Sequence, residues 1–116
     1  MKRDMNVIRR IALETESLPP GGILFGLDGV DEQTFAVHLV WMAEAGLIKA
    51  KFLENKNNIS DPAIFRLTWA GCEFADAARD PTIWDRTLAI LKPVASFTFD
   101  ILKECLKAEA LKNIAS

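Results

Sequence analysis

Residues 47–54 read Leu47-Ile48-Lys49-Ala50-Lys51-Phe52-Leu53-Glu54, and residues 64–68 read Ile64-Phe65-Arg66-Leu67-Thr68. In the first run Ile48, Ala50 and Phe52 alternate with Lys49 and Lys51. That period of two is the mark of a strand with one dry and one wet face. The intervening Lys56-Asn57-Asn58-Ile59-Ser60-Asp61-Pro62 is polar and closes on a proline. It predicts a loop, with the second run returning as an antiparallel strand, so the two runs form a hairpin.

Outward from this hairpin the chain reads as helices. Asp31 can cap a helix that runs to about Ala45 and stops at Gly46, with acidic residues at its positive end. Before it, Ile23 to Leu27 reads as a short strand and Asp28-Gly29 as a turn. Pro19-Pro20-Gly21-Gly22 ends a first helix that Asp4 can cap, with Met5, Ile8, Ile11 and Ala12 on one stripe through about Glu16. After the hairpin, Thr68 can cap a third helix, Trp69 to Arg79, whose Phe74 and Ala78 face inward. Asp80-Pro81 pairs a capping carboxylate with proline at the first helical position. A fourth helix therefore spans about Pro81 to Leu91, with Ile83, Trp84, Leu88 and Leu91 as its apolar side, until Pro93. A last helix follows over about Phe99 to Ile114.

This order predicts an α+β, mostly helical fold. Residues 1–79 form a winged-helix-like core with the hairpin as its wing, and residues 80–116 form two additional C-terminal helices packed on the core, a single domain overall. A winged helix normally inserts a further helix before its recognition helix. Only residues 18–30 occupy that place, and they are too rich in Pro and Gly to be helical.

Composition narrows the function. With 116 residues, one domain can remove roughly two-thirds of its unfolded surface from water. Fourteen Lys and Arg stand against sixteen Asp and Glu, a net charge of −2, unlike a general binder of nucleic acid or anionic membranes. No apolar run approaches membrane-spanning length, and the first residues form a charged amphipathic pattern rather than a signal peptide. Cys72 and Cys105 then read as thiols in a reducing compartment, and the expected location is cytoplasmic.

Several segments together resemble a known family. They are Met1-Lys2-Arg3-Asp4-Met5, His38-Leu39, Glu44-Ala45-Gly46-Leu47-Ile48, Arg66-Leu67-Thr68-Trp69 with Gly71, Glu73-Phe74, Asp76, Arg79-Asp80 and Thr82-Ile83-Trp84. In combination they are similar to the bacterial and prophage domain of unknown function 2513. Cys72 departs from the family's pattern, in which histidine is common after the third-helix glycine. The resemblance implies a winged-helix-like fold and a phage or prophage setting, and it implies no activity.

The residues themselves point away from catalysis. His38, the one histidine, sits mid-helix without a second His or a Cys at metal-ligand spacing. The cysteines form no C-x-x-C or C-x-x-H pattern. Gly22, Gly26 and Gly29 fit neither dinucleotide nor phosphate-loop spacings, and no serine sits in a nucleophile-elbow context. The expectation is a non-enzyme with no catalytic residue, metal, cofactor or small-molecule ligand.

Charge and helix faces suggest the partner. In a winged helix-turn-helix the helix before the wing enters the major groove, here Asp31 to Ala45. Between Arg10 and Lys49 there is no Lys or Arg, against Glu14, Glu16, Asp28, Asp31, Glu32 and Glu44, a balance of −6. That helix should be repelled by a duplex. Phe35, Leu39 and Met42 line its core side, so Val37, His38 and Trp41 fall on the outer side with Thr34 and Glu44. Three outcomes are open for Trp41: cover by the fourth or fifth helix of the same chain, cover by a second protomer or another protein, or simple exposure. On the last helix Phe99, Leu102, Leu106 and Ala110 form one side, widened by Ile101, Cys105 and Ala108. A stripe that broad must be buried on its own domain or on a second copy, which makes a homodimer through the C-terminal helices an expectation.

The leading expectation is therefore a non-enzymatic protein-interaction module with Val37, His38, Trp41, Leu102 and Leu106 as its partner surface. The alternative is a DNA-binding regulator. It would use the N-terminal Lys2 and Arg3 and the wing residues Lys49, Lys51, Lys56, Asn57, Asn58 and Arg66.

Overall fold

A computed structural model describes residues 1–94 and 97–115, so Ala95, Ser96 and Ser116 of the expected C-terminal extension lie outside it. The element order is α1 (Met5–Glu16), α2 (Glu32–Glu44), β1 (Ile48–Glu54), β2 (Ile59–Leu67), α3 (Trp69–Ala78), α4 (Pro81–Leu91) and α5 (Phe99–Ala115). The fold is the mixed α+β arrangement that the sequence predicts, with helices dominant and one antiparallel hairpin among the described residues. Residues 18–30 hold no helix, as their prolines and glycines require. No helix among the described residues is long and apolar enough to cross a membrane.

Side-chain caps set the helix starts. The Asp4 carboxylate accepts from the Asn6 amide at 2.9 Å, and Asp80 accepts from the amides of Thr82 and Ile83 at 2.8 and 3.1 Å. Asp31 accepts from the Thr34 amide at 2.9 Å and from the Thr34 hydroxyl at 2.7 Å. The Thr34 hydroxyl first, and its amide second, hold the Asp31 carboxyl below the usual carboxylate range. A folded-state pKa below the unfolded one adds stability above the unfolded value, and that stability is lost as pH falls through the folded value. Asp31→Asn keeps a capping oxygen without the charge. The stability advantage of wild type over Asp31→Asn should therefore shrink from about pH 4 downward. Urea titrations at several pH values would check this, and a constant difference would contradict it.

The other end of α2 closes on Gly46, whose φ is +76°. Its amide donates to the Ala43 carbonyl at 3.0 Å and the Leu47 amide donates to the Met42 carbonyl at 2.9 Å. This paired bonding turns the chain directly from α2 into β1.

The chain divides into two compact units, residues 1–75 and 76 onward. In the first, α1 brings Val7, Ile8, Ile11 and Ala12, and α2 brings Phe35, Ala36, Leu39, Val40 and Met42. These helices pack on each other and on the hairpin, whose buried residues are Ile48, Ile64 and Leu67. In the second, α4 packs on α5, burying Trp84, Thr87 and Leu91 of α4 and Leu102, Leu106 and Glu109 of α5.

Two expectations around the hairpin need correction. Ile23 to Leu27 is not a strand but a single antiparallel bridge between Leu24 and Ile64, with amide–carbonyl bonds of 3.0 and 2.9 Å. The next bonded pair on one side would be Gly26 with Pro62, and proline has no N–H to give. On the other side it would be Gly22 with Arg66, but the Gly22 amide already donates to Pro19 at 2.8 Å. Second, Ile59 to Pro62 belongs to β2 rather than to the loop. The ladder slips between Lys51 and Leu53, and Asp61 takes a φ of +52°, so a bulge absorbs the polar residues. Only residues 55–58 turn, with the Asn55 side chain accepting from the amides of Asn57 and Asn58.

Candidate functional site

The expected helical partner surface is mostly closed. Leu102 and Leu106 are fully buried in the unit where α5 packs on α4. On α2, Val37 and Trp41 are half-buried, and His38 is only 1% exposed. The helical period puts His38 beside Trp41, but the chain's own N-terminus covers it. The Asp4 amide donates to His38 Nε2 at 2.8 Å, and Nδ1 lies 2.7 Å from the Thr34 carbonyl. A backbone amide can only donate, so Nε2 is the acceptor and Nδ1 carries the proton given to Thr34. The rings of His38 and Trp41 meet edge to face, 5.1 Å between centres. Both ring nitrogens are thus committed to main-chain groups.

Apart from Met1 and from Trp69 at the start of α3, the open large apolar side chains of the first unit lie elsewhere, on the outer face of the hairpin. Leu24 and Ile64 are paired and point inward, so strand alternation turns Ile23, Phe25 and Phe65 outward. Phe25 is 68% exposed, Phe65 40% and Ile23 39%. The antiparallel sense of the bridge sets Phe25 beside Ala63 and Ile23 beside Phe65. Ala63 in turn pairs with Lys51, and Arg66 pairs with Lys49. The ladder slips between Lys49 and Ala50, so Phe65 and Arg66 are both exposed between buried Ile64 and Leu67. Toward the tip Leu53 extends the exposed face.

Three cations border this apolar strip. Lys49, Lys51 and Arg66 are exposed, and among the described residues no carboxylate forms an ion pair with any of them. The Arg66 side chain donates to the Leu67 carbonyl at 3.0 Å. Lys56, Asn57 and Asn58 are exposed at the hairpin tip, with the two asparagine amides occupied by Asn55. Lys2 and Arg3 are exposed ahead of α1. The structure therefore gathers Lys49, Lys51 and Arg66 on one face and leaves Lys56, Asn57 and Asn58 at its tip. Sequence reasoning missed Ile23, Phe25 and Phe65. The signal was present in strand alternation, because each neighbours an inward residue, Leu24 or Ile64.

Among the described residues no group of three or more His, Cys, Asp or Glu side chains could hold a metal ion. The thiols are free, Cys72 exposed and Cys105 half-buried.

No solved structure matches the chain. A Haemophilus influenzae protein described as an uncharacterized protein is 34% identical over 118 residues, spanning 99% of this chain and 92% of that relative. The family model described as hypothetical protein (DUF2513) matches residues 2–98, the region that contains the segments quoted above apart from Met1. On a match over most of its length and a relative of this identity, the chain belongs to the DUF2513 family.

Proposed function

We propose that this protein is a non-enzymatic interaction module whose contact surface is the outer face of its hairpin. The observation that carries the reading is the placement of Ile23, Phe25 and Phe65 side by side and open to water on one sheet face. Single exposed apolar residues are ordinary, but a contiguous strip rimmed by charge marks a place for a partner. A face on α2 centred on Val37 and Trp41 is a smaller surface, since both are half-buried and His38 between them is covered. The phage or prophage setting implied by the family resemblance belongs to the same proposal.

A duplex-reading winged helix is the second reading, favoured by the cations of the hairpin. Its reading helix would have to be α2, which starts with Asp31 and Glu32 and carries no Lys or Arg. Phosphate repulsion works against that geometry.

A photo-crosslinking residue placed at 25 or 65 in cells should give discrete adducts, and one placed at 31 or 32 should give none. Adducts from the start of α2 that contain duplex DNA would replace this reading with the second. Absence of adducts from 25 and 65 would remove it.

A further inference from the structure

We infer that the outer face of the hairpin binds single-stranded nucleic acid, with bases stacked on Phe25 and Phe65 and phosphates held by Lys49, Lys51 and Arg66. The inference rests on the reading of this face as the contact surface and adds the class of ligand.

Three features of the face point to it. Lys49 and Arg66 stand directly opposite across the ladder. Like charges so placed repel, and no carboxylate of the described residues separates them, so a bound anion is the species that would relieve the pair. Next, Phe25 and Phe65 present rings beside those cations without a polar group of their own. Exposed rings on a sheet face beside a basic groove are how sequence-tolerant single-strand binders work, because every base has a π-face to stack. Lastly, the rows run from ring to cation: Phe25 leads through Ala63 to Lys51, and Phe65 adjoins the Lys49–Arg66 pair. Bases and backbone of one strand need that side-by-side order.

The alternatives fit less well. The core of a protein–protein interface is depleted in charge, in lysine above all, whereas here the Lys49–Arg66 pair is next to Phe65 and Lys51 lies one strand beyond Phe25. A duplex is rigid and hides its base faces, so it could use the three cations but not the rings. A duplex read by α2 would also meet Asp31 and Glu32 at the start of that helix, which a flexible strand following the sheet can avoid.

The test uses the full chain with fluorescein-labelled oligo-dT and oligo-U of about 15 nucleotides, and a duplex of equal length, at about 50 mM salt. Both single strands should bind, with the duplex at least about ten-fold weaker. Three phosphate contacts predict a slope of log affinity against log salt of about −2. Lys49→Glu with Lys51→Glu should abolish binding. Phe25→Ala and Phe65→Ala should each weaken it about ten-fold while leaving the salt slope and the melting temperature unchanged. No binding by a folded protein, duplex binding as tight as single-strand binding, or full affinity in the phenylalanine variants would each overturn the inference. If oligonucleotides fail while crosslinks from 25 and 65 capture protein, the ligand class is wrong and the contact surface stands. If both fail, the surface goes too.

Discussion

Replacing Gly71 by alanine should cripple the fold, although alanine is the better helix former. Gly71 lies in the first turn of α3, its amide donating to the Thr68 hydroxyl at 3.1 Å. A Cβ at this position would run into the Leu47 carbonyl oxygen and meet the Leu67 Cβ at 3.2 Å. The carbonyl cannot simply swing aside. It accepts the Thr68 amide at 3.0 Å, and the Leu47 amide is itself bonded to Met42 at 2.9 Å. Relief of the clash would pull α3 from the hairpin or the hairpin from α2. Alanine's propensity gain of about 1 kcal/mol is small against overpacking on fixed backbone, which should cost roughly 3 kcal/mol or more. The expected result is a fall in melting temperature of about 12 °C or more. Gly26→Ala, with nothing within 4 Å of its Cβ, should change stability by less than about 0.5 kcal/mol. A Gly71→Ala protein that melts with wild type would show that the Leu47–Thr68 junction yields freely.

That junction explains what the sequence could and could not disclose. Local signals were readable because local chemistry decides them. Asp31, Asp80 and Thr68 start helices through their own side chains, and Gly46 stops one through its own backbone. The Leu67-Thr68-x-x-Gly71 segment could be quoted as a family likeness, but the carbonyl that demands its glycine lies 24 positions upstream. The failed strand at residues 23–27 follows the same logic, since its limits are set by Pro62 and by a turn at Pro19. The candidate site was half legible. Lys49, Lys51 and Arg66 were singled out by charge, and their alternation with Ile48 and Ala50 put the lysines on the wet face. Phe25 and Phe65 escaped because hydrophobicity argues for burial, although alternation with Leu24 and Ile64 already set them on the other side, the side that the bridge at Leu24 gives them.

His38 shows the opposite failure, a polar residue expected outside and found inside, and its removal has the second largest expected cost. At 100° per residue His38 lies only about 60° round α2 from Phe35 and about 40° from Met42, so the period itself carries it to the edge of the buried side rather than to the outer side. What periodicity cannot anticipate is that residue 4 returns across that side and gives its amide to Nε2. The ring therefore ties the start of α1 to the middle of α2, and its second nitrogen spends itself on Thr34. His38→Ala would leave the Asp4 amide without its acceptor and a gap against Trp41, at a cost of about 2–3 kcal/mol. His38→Phe separates the two effects by keeping a ring for Trp41 while deleting both hydrogen bonds. Amide exchange at Asp4 should accelerate in both variants, whereas the loss of stability should be smaller for phenylalanine. Unchanged exchange at Asp4 in both would mean that the N-terminus is held by α1 packing alone. In that case His38 would be free to turn toward solvent, and the surface around Val37 and Trp41 would be larger than its present burial allows.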